Sequence, residues 1–367
     1  MRAVVHIGMP KTGSTAIQHF LAANAEALSA RGVAFEKVAH GEIPPQDSQL
    51  ELGIVQFARA GLPVPDPATR ASYGLEDPGA HTAWAEGFAR AFEQAVRQRS
   101  EPLYLVSAEH VGAWTQTQAQ ALALDDWLST LFDEVRYVMY VRRQEDFILS
   151  NYSQHLRMGG TRRLWEFLRD NLHPDYTSRA LAWQAVAGER FTLHLLEPDA
   201  LTDGDLIADL AAVAGFDAAG LKRPGQPNQG LSVGAAGFLR EMNRALPQRV
   251  DGGRRRNPLM RGVEKRLTRW YADDRKLSLG ARQIARVRAA NADANERLRA
   301  VFFPEREELF PPRSGPKGGN NRAGVEEMAQ IGVDLMVAAR LGRIAPLSPD
   351  QVALLRDADD EREPEGR

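Results

Sequence analysis

Between Gly8 and Thr15 the chain reads G-M-P-K-T-G-S-T, two glycines with four residues between them followed by Ser-Thr. A glycine turn that opens a helix presents unpaired backbone N–H groups and the positive end of the helix dipole. Lys11 adds a mobile positive charge, and Ser14 and Thr15 add hydroxyl donors. These residues suit a phosphate or sulfate. They do not spell an ATP loop, which carries lysine where Ser14 stands and uses an aspartate partner to hold magnesium. A second anion site is spaced across Arg142 and Ser150, eight residues apart. Arginine suits phosphate because its planar fork donates two parallel bonds. A third group, Glu109-His110, sets a carboxylate beside an imidazole.

The elements that must position these groups alternate. Residues 3–7, AVVHI, read as a buried strand, and Ile17, Phe20, Leu21, Ala25 and Leu28 recur at helical spacing up to a stop at Gly32. The anion loop therefore sits at a strand–turn–helix junction. Residues 40–81, rich in Gly and Pro, read as a long surface excursion. Helices are expected near 82–98, 117–131 and 145–157, and strands at 103–107, 135–141 and 190–196. Alternation of this kind predicts an α/β fold with a largely parallel, helix-covered sheet. Glu109, His110 and Arg142 then follow strand ends, where open α/β sheets bind ligands. The chain is expected to be mostly helical after Ser232. The predicted organisation is an α/β core over 1–231, a helical extension of the same domain over 232–310, and a linker, helical segment and acidic tail over 311–367.

Composition removes several classes. The 367 residues are 43% hydrophobic and 26% charged with a formal net charge of −2, so no general attraction to nucleic acid or anionic membranes is expected. The absence of cysteine excludes disulfides, iron–sulfur clusters and thiolate zinc sites, and it fits a cytoplasmic protein. No stretch approaches the roughly 18–20 apolar residues of a membrane span, and the N-terminal apolar run is too short for a signal peptide.

The stretch HIGMPKTGSTAIQ resembles the 5′-phosphosulfate loop of sulfotransferases, especially bacterial relatives of the carbohydrate sulfotransferases, whose pattern is P-K-[ST]-G-[ST]-[ST]. Their donor is 3′-phosphoadenosine 5′-phosphosulfate (PAPS). The resemblance implies a P-loop-like fold, with Lys11 at the oxygen bridging phosphate and sulfate. It implies that Thr12, Gly13, Ser14 and Thr15 hold the 5′-phosphate. Arg142, Asp146 and Ser150 match the family's 3′-phosphate motif, although Arg143-Gln144 replaces its Asn-Pro. Glu109 is the first candidate for the base, since carbohydrate-type members use glutamate between the two motifs; His110 is second, since small-molecule members use histidine. The segment PNQGLSVGAAGFLREMN is similar to a loop-helix written N-x-S-L-S, which implies Asn228 or Ser232 toward the cofactor. The acceptor is then a hydroxyl or amine of a small molecule or glycan. A transferring SO₃ group carries less charge than a phosphoryl group, so no metal clamp is required. The alternatives are a magnesium-dependent nucleotide kinase of the P-loop class and a non-catalytic PAPS-binding protein. The run from Gly252 to Arg269 reads as a solvated basic loop, or as a seat for an acidic acceptor.

Overall fold

In the computed structural model, which describes residues 1–223, 225, 230–246, 249–250, 255–313 and 318–343, the chain divides into two compact units. The first gathers 1–143, 175–227 and 292–311; the second gathers 144–174, 228–291 and 312–367.

A five-stranded sheet organises the first unit: β1 (Arg2–His6), β2 (Val33–Phe35), β3 (Leu103–Ser107), β4 (Glu134–Val141) and β5 (Phe191–Leu195). Every pairing is parallel and the order is β2-β3-β1-β4-β5. Helices of this unit are α1 (Ser14–Ala23), α2 (Ala25–Ser29), α3 (Glu51–Arg59), α4 (Pro67–Tyr73), α5 (Pro78–Arg97), α6 (Glu109–Trp114) and α7 (Gln118–Leu128). In the second unit lie α8 (Gln144–Arg157) and α9 (Leu164–Asp170). The first unit resumes with α10 (Tyr176–Ala187) and α11 (Leu206–Ala214).

The period-2 alternation of the strands feeds two cores. Val4, Leu105, Val138 and Tyr140 face Ile17, Phe20 and Leu21 of α1 and Ile207 and Leu210 of α11. On the opposite face Tyr104 meets Phe92 of α5, and Tyr137 meets Trp183 of α10 with ring centres 4.5 Å apart. Helices thus cover both faces, as a wholly parallel sheet requires.

Residues 40–81 are not the plain excursion their composition predicts. They contain α3, α4 and the start of α5. The prolines mark beginnings rather than breaks: Asp66 and Asp77 cap α4 and α5, each with proline as the first helical residue. In α3, Glu51 through Phe57 are all buried, so no amphipathic period shows in the sequence. The short strand β2 also escaped the pattern.

The second unit continues with α12 (Val233–Ala245), a two-stranded antiparallel sheet of β6 (Arg249–Val250) and β7 (Arg255–Arg256), α13 (Pro258–Trp270), α14 (Ala281–Phe302, whose residues from 292 belong to the first unit) and α15 (Val325–Arg340). Its core includes Ile148, Tyr152, Phe167, Leu239, Met260 and Ile331. The acidic C-terminal tail lies outside the described residues. Among the described residues no helix is long and apolar enough to cross a membrane.

Candidate functional site

The loop between β1 and α1 is tied to itself. The Thr12 hydroxyl donates to the Met9 carbonyl at 2.7 Å, and the Ser14 hydroxyl reaches the same carbonyl at 3.1 Å. Thr12 is fully buried, and its hydroxyl shapes the loop. Gly13 is left-handed (φ 90°) and caps α1 without a side chain. The amides of Gly13, Ser14 and Thr15 find no acceptor among the described residues, which leaves three donors at the positive end of α1. Lys11 is also left-handed (φ 66°), a conformation that costs a non-glycine residue energy and is most often retained at functional sites.

Helix α6 brings Glu109 to this loop, and glycine makes the approach possible. A Cβ on Gly112 would stand 2.3 Å from the Gly8 carbonyl oxygen; one on Gly8 would stand 2.7 Å from the Ser14 hydroxyl and 3.1 Å from the Glu109 Cα. The helix is held at its far end too. Arg179 of α10 donates to the Ala113 carbonyl at 3.2 and 3.3 Å, and Gln56 of α3 donates to Thr115 at 2.7 Å. Burial pushes the half-buried Glu109 carboxyl up, while the Lys11 charge and a hydrogen bond from Ser14 pull it back. A carboxylate, a cation and a hydroxyl therefore converge at the head of α1.

Its neighbour points elsewhere. The His110 ring packs 4.9 Å from that of Trp114, its Nδ1 is buried without a partner among the described residues, and burial pushes its pKa down against the opposing charge of Asp66. Consecutive residues entering a helix diverge by about 100°, and only Glu109 takes the direction of the loop.

Arg142, one residue past β4, donates through Nη1 to the Lys11 carbonyl at 3.3 Å. That contact joins the chain leaving β4 to the chain leaving β1, neighbouring strands at the sheet's centre. Arg143 has a different task. Its buried guanidinium pairs with the buried Glu197 at 3.0 and 3.3 Å and donates to the Pro311 carbonyl at 2.7 Å. The departure from Asn-Pro at 143–144 thus supplies an internal pin. Ser150 lies half-buried on α8 in the second unit, and Asp146 on the same helix pairs with Arg313 at 2.8 Å. Asn228 lies outside the described residues; Ser232 caps α12 through the Ala235 amide.

Sequence reasoning missed two groups behind the loop. His6, the last residue of β1, is buried; its Nδ1 lies 2.9 Å from the Ser107 hydroxyl and its Nε2 has no partner among the described residues. Burial pushes its pKa down to about 3. Gln49 (φ 40°) accepts from the Ser107 amide at 2.7 Å and donates to the Glu36 carbonyl at 2.8 Å, fixing the end of β3 just before Glu109. The buried polar end of β1 was readable in AVVHI; nothing in the sequence marks Gln49.

Compared with protein-family models, with curated proteins and with solved structures, the chain finds no match.

Proposed function

We propose that the first unit is a P-loop-like sulfotransferase that moves a sulfuryl group from PAPS to a hydroxyl or amine of a carbohydrate or related metabolite in the cytoplasm. The observation that carries the reading is the convergence of Glu109, Lys11 and Ser14 at the head of α1. The acceptor oxygen or nitrogen attacks sulfur in line and gives its proton to Glu109. The sulfur–oxygen bond to the 5′-phosphate breaks, and Lys11 offsets the charge left on that phosphate. A carboxyl raised by burial is a stronger base than a free one, and the cation beside it favours its ionised form. The free amides of Gly13, Ser14 and Thr15 receive the 5′-phosphate, and Arg142 supplies the fork for the 3′-phosphate.

Calorimetry with the desulfated product, 3′-phosphoadenosine 5′-phosphate (PAP), tests the donor. PAP should bind without magnesium, and tighter than AMP by about tenfold or more, the worth of a charge-assisted contact to the extra phosphate. Equal affinity for PAP and AMP removes the proposal. Magnesium-dependent ATP binding in place of PAP identifies a nucleotide kinase. PAP binding with no transfer to any acceptor identifies a non-catalytic binding protein.

A further inference from the structure

The second unit contains a cavity of about 560 Å³, within the size range of small-molecule sites. We propose that it binds an oxyanion-bearing ring compound of about disaccharide size, whether or not the first unit binds PAPS. The charge of the lining carries the first half of this reading. Arg163, Arg240 and Arg322 line the cavity, and no acidic residue among the described residues does. Arg240 is partly neutralised by Glu241 at 3.0 Å, but Arg163 and Arg322 are exposed and have no carboxylate partner among the described residues. Two guanidinium forks facing one cavity select a carboxylate, sulfate or phosphate ester.

The shape carries the second half. Trp165, which lines the same cavity, is 56% exposed overall, so its indole is accessible to a ligand. Its flat face suits a ring, and the cavity floor at Ala236 and Gly237 is narrow in side-chain volume. The opposite wall, residues 319–323, is fixed in place. Asn321 donates to the Ser278 carbonyl at 2.7 Å and accepts from the Ser278 amide at 2.9 Å. Gly319 (φ 125°) lies so close to Gly280 that a Cβ would stand 2.9 Å from its Cα, and a Cβ on Gly237 would stand 2.8 Å from that of Ala323. A preformed wall lowers the ordering cost of binding.

Calorimetry on the full chain with a uronic-acid disaccharide, its neutral methyl ester and sodium sulfate tests this. The disaccharide should bind, and the ester and free sulfate should each be weaker by about tenfold or more. Arg163→Ala and Arg322→Ala should each weaken the disaccharide by a similar factor, and Trp165→Ala should do so without changing the preference over the ester. The circular dichroism spectrum and urea unfolding midpoint of each variant should stay at the wild-type value, which shows that they are folded. Absence of heat with the disaccharide, equal affinity for its ester, or wild-type affinity in the Arg163→Ala/Arg322→Ala double variant overturns the assignment.

Discussion

Two residues at the head of α1 make opposite demands on the chain. Lys11 is held left-handed, where a Cβ is penalised by roughly 1–2 kcal/mol. Lys11→Gly should therefore be more stable than Lys11→Ala by about 1 kcal/mol in urea unfolding, while both lose the cation. If the alanine variant proves the more stable, the strain is not there. Glu109 is raised by burial and restrained by Lys11 and Ser14. Glu109→Gln should cut sulfuryl transfer by about 10²-fold or more and leave PAP affinity intact, whereas His110→Ala should cost far less. Transfer should fall as the pH drops through the Glu109 pKa, which lies above the ordinary glutamate value. Transfer that survives Glu109→Gln would move the base to another group.

At the scale of the element, the C-terminal end of β4 is fastened by a buried ion pair. Arg143 and Glu197 are both almost fully buried, and Arg143 also satisfies carbonyls at Phe310 and Pro311. Arg143→Ala removes the guanidinium that faces the buried Glu197 carboxylate and should cost about 3–5 kcal/mol in urea unfolding. An Arg143→Met/Glu197→Leu pair should recover much of that, because it removes both charges together. A double variant no better than the single would show that the carbonyl contacts, not the ion pair, dominate. The same end of β4 places Arg142 one residue earlier against the loop, so the pin and the candidate anion fork are adjacent in sequence but divided in role.

At the scale of the molecule, buried histidine should shape stability against pH. The folded-state pKa of His6 is about 3, below its unfolded value of 6.5, so the neutral ring is the folded form. Above pH 6.5 both states are neutral and His6 contributes no slope. As the pH falls from 6.5 the unfolded chain takes up a proton that the fold refuses, and stability is lost down to about pH 3. The slope is about 1.4 kcal/mol per pH unit, or about 2 kcal/mol by pH 5. His110, also lowered by burial, adds in the same direction. Asp209, lowered to about 2 and bonded to His194 and Tyr140, contributes its full stability above the unfolded aspartate value of 3.8 and loses it as the pH falls from there to about 2. Urea titrations at pH 7 and 5 should show the loss, and His6→Gln should remove about 2 kcal/mol of it; an unchanged slope in that variant would refute the assignment.

The local code of the first unit was legible because it is written locally. The AVVHI strand, the loop, α1 and the parallel sheet each follow from short apolar runs, glycines and helical spacing. Helices α3 to α5 were hidden, since Asp-Pro starts resemble breaks and a helix buried all round has no period. From sequence, Glu109 stood ahead of His110 only by resemblance, and Arg143 was a departure from a motif. Only packing separated them: Gly112 lets α6 close on the loop, Trp114 draws His110 away, and Glu197 waits for Arg143. The sequence determined which groups stand at the ends of the strands. Which way each one faces depends on contacts between residues far apart in the chain, and the tertiary structure alone decided that.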